Sequence, residues 1–271
     1  MKEALVEIIT IGSELLIGKI LNANAQWLAR RCTTLGLKVR RIIVVGDNLN
    51  EIIDVIKESL KRKPKFIITT GGLGPTPDDL TLEAIAKALG RKLEINENAL
   101  EMVKKAYLKL AEEGVIDTAE LTPHRIKMAT IPEGGVPLPN PVGAAPGVSM
   151  EVDGTTIVAL PGVPSEMKAI FEEHVKPMLM KTVGELTYFE VGFVTYNIVE
   201  SVLAPALEEI MRNNPLIYVK SLPRKVGRTF YVELYLSTTA KTTEEAKKRI
   251  GKAVMQLSEL IRKVGGSIKP L

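Results

Sequence analysis

The chain has 271 residues, of which 25% are charged and 45% apolar, a composition typical of a soluble globular protein. The formal net charge of +4 is too small to indicate a nucleic-acid partner by itself, and no window of ~18 uncharged apolar residues predicts a membrane span. Cys32 is the only cysteine, so an internal disulfide is excluded, and we expect a small core residue in a reducing, cytoplasmic environment.

Strand and helix patterns alternate through the first two-thirds of the chain. Apolar runs predict strands at 5–11, 38–46 and 65–70, and each is followed by a segment with the apolar spacing of a helix. Parallel neighbours in a sheet need crossover helices between them. The alternation of strands and helices therefore predicts an α/β fold with a doubly wound, mainly parallel sheet.

A longer segment completes the predicted large domain. Residues 96–114 have the pattern of a helix that begins at an asparagine, and the proline- and glycine-rich stretch 131–147 predicts a long ordered loop. Asp153 and Gly154 lie between two β-prone runs and predict a two-residue hairpin. An amphipathic helix follows the hairpin, and we assign the large, catalytic domain to residues 1–180.

The sequence pattern changes near Thr182 to Glu185, and residues 181–271 predict a small α+β domain with the order β-α-β-β-α. Its longest strand, RTFYVELYLST, alternates two sets of side chains. The set expected under the two helices is Phe230, Val232, Leu234 and Leu236. The opposite set is Tyr231, Glu233 and Tyr235. The second set is apolar for a surface, so we expect a homodimer, with packing on the chain's own large domain as the alternative.

The third predicted strand runs into a glycine-rich loop in the stretch FIITTGGLGPTPDDLT (66–81). Gly71, Gly72 and Gly74 would let backbone N–H groups approach an anion closely, and phosphate is the natural anion. Thr81 is expected to cap the following helix and to add the helix N-terminus to the anion site. The loop therefore predicts phosphate binding at the carboxyl end of a central strand.

Acidic side chains follow three of the predicted strands. Asp78 and Asp79 come after the glycine loop and would repel phosphate unless a divalent cation lies between them. Ser13 and Glu14 follow the first strand, and Asp47 follows the second. Because these strand ends lie side by side in a doubly wound sheet, we expect the acids to converge around one pocket, with Ser13 as a further phosphate contact.

Several motifs of this chain occur together and in this order in one known family. They are TIGSELLIGKILNANA, GDN, TTGGLGPTPDDLT, PNPVGAAPG and LPGVPSEMKAIFE, and they extend to about residue 175. Their combination resembles the CinA (competence-damage-inducible protein A) family, whose core domain is similar to the molybdopterin-binding domains of molybdenum cofactor biosynthesis. The remainder of the chain resembles the small KH-type domain that follows in CinA proteins.

The resemblance implies a hydrolase, a metal-dependent ADP-ribose pyrophosphatase that splits its substrate into AMP and ribose 5-phosphate. The implied cofactor is a divalent metal ion, Mg²⁺, Mn²⁺ or Co²⁺, and the implied partner is a nucleotide-type small molecule. Full-length members add a carboxyl-terminal nicotinamide-mononucleotide deamidase domain, and we do not expect deamidation from this stand-alone form.

The family pattern transfers to this chain position by position. The resemblance places the catalytic aspartate on Asp79 and the acid of the family's GDEL motif on Glu14. The family's glycine loop falls on Gly71, Gly72 and Gly74. Asp78 stands where the family usually has arginine, and LPGVP replaces LPGNP, so the asparagine contact is absent. The second acid favours a metal–diphosphate site over pterin adenylylation.

The residue types suit diphosphate hydrolysis, which needs an in-line water, charge neutralisation and an oriented leaving phosphate. A metal on Asp79, with Asp78 or Asp47 assisting, could supply these, and the general base is either Glu14 or Asp47. A first alternative is a molybdopterin-type nucleotidyl transferase or pterin binder.

A second alternative is nucleic-acid binding through the small domain. KH domains clamp the nucleic-acid backbone with a GxxG loop, which is missing after residue 184. The loop KSLPRKVGR carries basic residues but a single glycine, and those residues are Lys220, Arg224, Lys225 and Arg228. We therefore expect no nucleic-acid partner.

Overall fold

A computed structural model describes most of the chain. The described residues are 4–184, 186–196, 198–227 and 229–271. Glu185, at the predicted change of pattern, and Arg228, in the predicted basic loop, lie outside them. No helix in these ranges combines the length and the apolar character that a membrane crossing would require.

The chain divides into two compact units. The large unit comprises the described residues of Met1–Thr33 and Leu37–Val183. The small unit comprises the described residues of Thr34–Gly36 and Gly184–Leu271.

The first 183 residues alternate strands with helices. The strands are β1 (Leu5–Ile11), β2 (Lys38–Val45), β3 (Phe66–Thr70), β4 (Leu93–Ile95), β5 (Thr130–Pro132), β6 (Val136–Leu138), β7 (Gly147–Val152) and β8 (Thr155–Leu160). The helices are α1 (Ser13–Leu16), α2 (Ala23–Thr34), α3 (Leu49–Lys61), α4 (Thr81–Leu89), α5 (Glu97–Glu112), α6 (Pro123–Lys127), α7 (Pro164–Ile170) and α8 (Lys176–Val183). A π-helical turn, Phe171–Val175, lies between α7 and α8.

The central sheet has the strand order β2-β1-β3-β8-β7-β6. β2, β1, β3 and β8 are parallel, whereas β7 and β6 are antiparallel to their neighbours. The predicted α/β fold with a mainly parallel sheet is therefore confirmed. The predicted hairpin is also confirmed, because Asp153 and Gly154 link β7 to β8 with the two positive φ angles, 48° and 83°, that a type I′ turn requires.

Burial explains why the central strands read as continuous apolar runs. All five residues of β3 are buried, and β1 is buried from Val6 to Ile11. Strands covered on both faces gain from apolar side chains at every position. Cys32 is buried in α2, as expected for a core residue, and burial raises the pKa of its thiol to about 12.

The small unit has its own four-stranded sheet and two helices on one face. Its elements are β9 (Thr187–Tyr196), α9 (Glu200–Asn213), β10 (Tyr218–Val226), β11 (Thr229–Ala240), α10 (Thr243–Lys263) and β12 (Ile268–Pro270). The sheet order is β10-β11-β9-β12. This β-α-β-β-α-β unit confirms the predicted α+β domain and adds β12, a short strand that was not predicted, to the arrangement known as a split βαβ.

One detail of β11 was predicted wrongly. Val232, Leu234 and Leu236 are buried under α9 and α10, as expected, but Phe230 is 56% exposed. Phe230 lies near the β10–β11 turn, and the ammonium group of Lys225 lies 4.9 Å from the centre of its ring. The prediction that β11 alternates between two faces was correct. The apolar cluster under the helices does not, however, extend to the end of β11 near the hairpin turn.

Candidate active site

The carboxyl ends of three parallel strands meet at one edge of the central sheet. Ile11 of β1 is paired with Val45 of β2, and Thr10 of β1 is paired with Thr70 of β3. The loops that follow these strands carry the predicted site residues. The expected adjacency of the three strand ends is therefore confirmed by the register of the sheet.

Ser13 and Asp47 join the first two of these loops. The backbone amide of Ser13 donates to Oδ2 of Asp47 at 2.7 Å, and the backbone amide of Asp47 donates to Oγ of Ser13 at 3.2 Å. Each residue thus supplies one donor and one acceptor to the other. This pair fixes the start of α1 against the end of β2, and it uses one carboxylate oxygen of Asp47.

Thr81 holds the glycine loop in place. Its hydroxyl donates to the carbonyl of Gly71 at 2.7 Å, and its amide donates to the carbonyl of Gly72 at 3.2 Å. The N-cap of α4 is Leu80, and it makes no side-chain capping bond, so the prediction that Thr81 caps this helix was wrong. The buried hydroxyl is taken by the loop carbonyl, and a side-chain contact from Thr81 to phosphate would require that bond to break.

Asp79 is held by the residue three positions before it. Its Oδ2 atom accepts from the backbone amide of Thr76 at 2.8 Å and from the hydroxyl of Thr76 at 2.6 Å. The same hydroxyl lies 2.5 Å from Oδ1 of Asp78. A hydroxyl has one hydrogen and can donate a good hydrogen bond to only one acceptor at a time. The carboxylates of Asp78 and Asp79 therefore share a single hydroxyl donor.

The charge near this turn is partly balanced by Lys127. Its ammonium group donates to the carbonyl oxygen of Thr76. The hydroxyl of Thr76 and, to a smaller extent, the positive charge of Lys127 lower the pKa of Asp78 below its usual value. Lys127 and Asp79 both line a cavity of about 160 Å³, together with Gly72, Gly74 and Glu83.

Gly74 is required by its distance from Asp79. A Cβ atom at Gly74 would lie 2.6 Å from Oδ2 of Asp79 and 3.1 Å from its carboxyl carbon. Real Cβ atoms essentially never show the first separation, and the second is tighter than most Cβ contacts. The loop therefore has glycine here because the backbone passes directly beside the Asp79 carboxylate.

These oxygen atoms fit a hard divalent cation. Mg²⁺ is usually held in proteins by one or two carboxylates, with waters and substrate phosphates completing its shell. Asp78 and Asp79 supply two such carboxylates, turned toward the same hydroxyl. Within the described part of the chain, no three His, Cys, Asp or Glu side chains form a metal-binding group. The two carboxylates are too few to complete the coordination shell of a cation. They therefore suit a cation that is also coordinated by substrate phosphate.

Glu14 lines a second cavity, of about 120 Å³, beside β1 and β3. Asn24 lies in the same cavity, and its side-chain amide donates to the carbonyl of Gly162 at 2.8 Å and to Oγ1 of Thr70 at 3.2 Å. Among the described residues, Oδ1 of Asn24 is buried and has no hydrogen-bond partner. Glu14 and Asp79 thus line different cavities, and the convergence of Glu14, Asp47 and Asp79 on one pocket stays a prediction.

The prediction of one long loop over 131–147 was wrong in part, because this stretch contains β6 and the ends of β5 and β7. Residues 139–146, between β6 and β7, form the ordered loop, which Asn140 organises. The side-chain amide of Asn140 donates to Glu166 at 2.6 Å and to the carbonyl of Ala145 at 2.8 Å, and its Oδ1 accepts from the amide of Gly143 at 2.9 Å. Val163, in LPGVP, is 51% exposed and stands at the start of α7, where a valine side chain offers no hydrogen bond.

Sequence reasoning did not assign a role to three of these residues. Thr76 was unassigned because an i,i+3 threonine–aspartate pair is common in turns of many functions. Asn24 and Asn140 donate to backbone carbonyls. Every residue has such a carbonyl, so the sequence does not indicate which one an asparagine will bind. The motifs TIGSELLIGKILNANA and PNPVGAAPG contain both asparagines and were the available signal.

The mainly parallel sheet, with loops at its strand ends that offer glycine and carboxylates, defines an α/β protein of the molybdopterin-binding type. Residues 7–181 match the family described as "Probable molybdopterin binding domain". The chain belongs to this family and, within it, to the CinA proteins. The crystal structure of the protein CinA from Thermoplasma acidophilum is similar, with a TM-score of 0.59 and 40% identity, over 66% of this chain and 99% of that chain.

Similar proteins also occur in other archaea. A protein of Pyrobaculum calidifontis is 45% identical over 257 residues, which cover 94% of this chain and 95% of the relative. A protein of Aeropyrum pernix is 42% identical over 263 residues, which cover 96% of this chain and 95% of the relative. In both cases the similarity extends over both units of the chain.

Proposed function

We propose that the chain is a metal-dependent hydrolase that splits the diphosphate bond of a nucleotide, with ADP-ribose as substrate and AMP and ribose 5-phosphate as products. The observation that carries the proposal is the fixed Asp79 carboxylate, which accepts two hydrogen bonds from Thr76 beside a glycine loop. The second carboxylate at the same hydroxyl, Asp78, supports a cation-assisted diphosphate site in place of a site for phosphate alone.

The reaction adds water to one phosphorus and breaks the bond from that phosphorus to the bridging oxygen. The amide of Gly71 already donates to the carbonyl of Leu160 at 3.0 Å. The backbone N–H groups around Gly72 and Gly74, with Ser13, are therefore proposed to bind the phosphate oxygens. Asp78 and Asp79 would hold the divalent cation, which when bound would neutralise the phosphate charge. Lys127 adds a positive charge in the cavity that Asp79 lines.

A general base must accept the proton that the attacking water loses. Glu14 and Asp47 are the two candidates. Glu14 follows β1, the neighbour of the strand β3 that leads into the glycine loop, and Asp47 follows β2, on the other side of β1. Asp47 has one oxygen bonded to the amide of Ser13, so its other oxygen would accept the proton. Separate Glu14→Gln and Asp47→Asn variants distinguish the two, because only loss of the base removes the acidic limb of the pH–rate profile.

The test of this proposal is incubation of the protein with ADP-ribose, FAD, NAD and ATP, each with Mg²⁺, Mn²⁺ or Co²⁺, followed by product analysis. We expect AMP and ribose 5-phosphate from ADP-ribose. The Asp79→Ala variant, purified in the same way, controls for contaminating hydrolases. No turnover of any of the four compounds with any of the three metals would contradict the proposal.

A second candidate function is pterin binding or nucleotidyl transfer to a pterin, and the family description favours it. Asp78 counts against adenylylation in this chain, since a second acid at this position repels the triphosphate unless cations accompany it. Fluorescence titration with a stable pterin, with and without ATP, separates the candidates. Saturable pterin binding that Asp79→Ala weakens, without ADP-ribose turnover, would favour the second function.

A further inference from the structure

The cavity that Glu14 lines has a polar wall at the carboxyl ends of β1 and β3. Two buried threonines at paired positions of these strands, Thr10 and Thr70, form its base. The side-chain amide of Asn22 donates to Oγ1 of Thr10 at 2.9 Å, and that of Asn24 donates to Oγ1 of Thr70 at 3.2 Å. The two asparagines thus attach the start of α2 to the ends of both strands.

Most oxygen atoms of this wall already have partners inside the protein. The hydroxyl of Thr70 donates to the carbonyl of Pro161 at 2.7 Å, and the hydroxyl of Thr10 donates to the carbonyl of Ile43 at 3.3 Å. The side-chain oxygen of Asn22 accepts from a backbone amide of α2. These three oxygens therefore serve the fold and need no ligand.

Two other oxygen acceptors in the same cavity have no partner among the described residues. Oδ1 of Asn24 is buried and receives no hydrogen bond. The carboxylate of Glu14 makes no hydrogen bond or ion pair with any described residue. This carboxylate lies over the end of β1, because a Cβ atom at Gly12 would be 2.5 Å from one of its oxygens. A buried acceptor without a donor costs free energy, so the Asn24 oxygen indicates a ligand that donates.

The orientation of the Asn24 amide follows from its neighbours. Its nitrogen donates to the carbonyl of Gly162 at 2.8 Å, and the hydroxyl hydrogen of Thr70 is already donated to Pro161. If the amide were turned over, Oδ1 would face two oxygens that have no hydrogen to give it. The unpaired atom is therefore the oxygen, and the cavity offers acceptors to its ligand.

A pair of neighbouring hydroxyl groups suits these two acceptors. Metal ions in proteins prefer several carboxylates or phosphates, and Glu14 is the only charged residue among the described residues that line this cavity. The 2′- and 3′-hydroxyls of a ribose are neutral donors on neighbouring carbon atoms. In dinucleotide-binding α/β folds, an acidic side chain accepts from the ribose 2′-hydroxyl in the same manner.

The cavity adjoins the glycine loop. Thr70 is the last residue of β3 and is followed directly by Gly71. Gly162, which also lines the cavity, packs against this loop, since a Cβ atom at Gly162 would lie 3.4 Å from Cα of Gly71. In a nucleotide, one ribose ring carries both the diol and the 5′-phosphate. A phosphate on the glycine loop would therefore bring its ribose to this cavity.

Apolar side chains beside the two acceptors favour a nucleoside over a bare sugar phosphate. Ile20 is 51% exposed and Leu21 is 84% exposed, and both line the cavity. A purine attached to the ribose would cover these side chains and remove apolar surface from water.

We propose that this cavity binds the adenosine ribose of the substrate, whose 2′- and 3′-hydroxyls donate to Glu14 and to Oδ1 of Asn24. The inference rests on the function proposed above and restricts its substrates to ribonucleotides, with deoxyribonucleotides excluded. It gives Glu14 a binding role, and Asp47 is then the remaining candidate for the general base.

Calorimetric titration with AMP and its analogues tests the inference without turnover. With Mg²⁺ present, we expect AMP to bind at least ~10-fold more tightly than 2′-deoxy-AMP or 3′-deoxy-AMP, because each analogue leaves one acceptor unpaired. Ribose 5-phosphate has the diol but no base, and we expect it to bind more weakly than AMP.

Two variants assign the hydroxyls to their acceptors. Glu14→Ala and Asn24→Ala should each weaken AMP binding at least ~10-fold, and each should lose the discrimination against one of the two deoxy analogues. Gln26→Ala, at an exposed position of the same helix as Asn24, is the matched control and should bind AMP like wild type. Glu14→Ala keeps the test valid if Asn24→Ala misfolds, since the Glu14 side chain has no partner among the described residues to lose.

The possible results separate this inference from the proposed hydrolysis. Equal binding of AMP and both deoxy analogues overturns the inference, and so does a preference for AMP that both variants retain. Tighter binding of ribose 5-phosphate than of AMP overturns the assignment to the adenosine ribose and places the other ribose of ADP-ribose here. Hydroxyl-dependent AMP binding without ADP-ribose turnover supports the inference and contradicts only the hydrolase function.

Discussion

Three hydrogen bonds join Thr76 and Asp79. The amide and the hydroxyl of Thr76 donate to Oδ2 of Asp79, and the amide of Asp79 donates back to the carbonyl of Thr76 at 3.1 Å. Lys127 donates to that same carbonyl. These bonds within the turn hold the Asp79 carboxylate in one orientation without the help of a ligand. Preorganised charge of this kind is what a phosphoryl-transfer site requires.

Asp79→Ala removes the best-placed carboxylate of the candidate site. We expect turnover of ADP-ribose to fall at least ~10²-fold while the fold remains intact, because both the cation site and its orientation are lost. The measurement is steady-state kinetics with a circular dichroism check. Asp54→Ala, at an exposed position of α3, is the control and should retain full activity. Asp79→Ala activity within a few-fold of wild type would place the site elsewhere.

Thr76→Val tests positioning separately from charge. Valine removes the hydroxyl that contacts both carboxylates but keeps the backbone amide bond to Asp79. We expect about a 10-fold loss of activity and a higher metal concentration for half-maximal rate, as is usual when a partner of a metal ligand is removed. Thr76→Ser restores the hydroxyl and should restore both values. A Thr76→Val enzyme with an unchanged metal requirement would contradict the positioning role.

Gly74→Ala tests the close approach of the loop to the carboxylate. The added Cβ atom would meet Oδ2 of Asp79 at 2.6 Å, so the carboxylate must move. We expect a loss of kcat with little change in the melting temperature. Gly251→Ala is the control, because nothing lies within 4 Å of a Cβ at this position of α10. That substitution should leave activity unchanged and stabilise the small unit by about 1 kcal/mol.

The sequence was sufficient for the parts of the site that depend on local pattern. β3 was predictable because its apolar run is unbroken. The loop after β3 was predictable because glycine and aspartate have strong turn preferences. Thr81 shows where local pattern fails, since a threonine before a helix usually caps it, whereas here the buried hydroxyl binds Gly71. Asn24 contacts Thr70 and Gly162, which are 46 and 138 residues away, so these contacts follow only from the folded topology.

Removal of divalent metal should stop the proposed hydrolysis. Asp78 and Asp79 lie together beside the glycine loop, and without a cation their charges would oppose the binding of a diphosphate. We expect excess chelator to reduce turnover to background, and added Mg²⁺, Mn²⁺ or Co²⁺ to restore it. Calorimetric titration of ADP-ribose with and without metal measures the same dependence without turnover. Full activity in excess chelator would exclude the metal assignment.

A buried ion pair at the opposite, amino-terminal end of β1 should make the large unit sensitive to pH. Glu7 is fully buried, and its carboxylate accepts from Arg62 at 2.7 and 2.8 Å. Burial alone would raise the pKa of Glu7, but hydrogen bonds from Arg62 and Ser59 and the charges of Arg62 and Arg41 lower it overall. A carboxyl with a lowered pKa stabilises the fold above its unfolded pKa, and this contribution disappears as pH falls through the folded pKa.

Arg62→Met leaves the Glu7 carboxylate buried without its main partner. We expect the free energy of unfolding at pH 7 to fall by about 3 kcal/mol, the usual cost of breaking a buried pair from one side. Urea unfolding followed by the fluorescence of Trp27, the only tryptophan, reports on the large unit. Lys87→Met breaks an exposed pair with Glu83 and is the control, with an expected loss of about 0.4 kcal/mol.

The pH dependence distinguishes this ion pair from simple loss of packing. As pH falls below the ordinary pKa of a glutamate, wild type loses the contribution of the Glu7–Arg62 pair. The Arg62→Met variant has no such contribution to lose, and protonation relieves its unpaired buried charge. The difference in unfolding free energy between the two proteins should therefore narrow steadily toward acid pH. A difference that stays constant from neutral to acid pH would show that Arg62 stabilises the fold through packing alone.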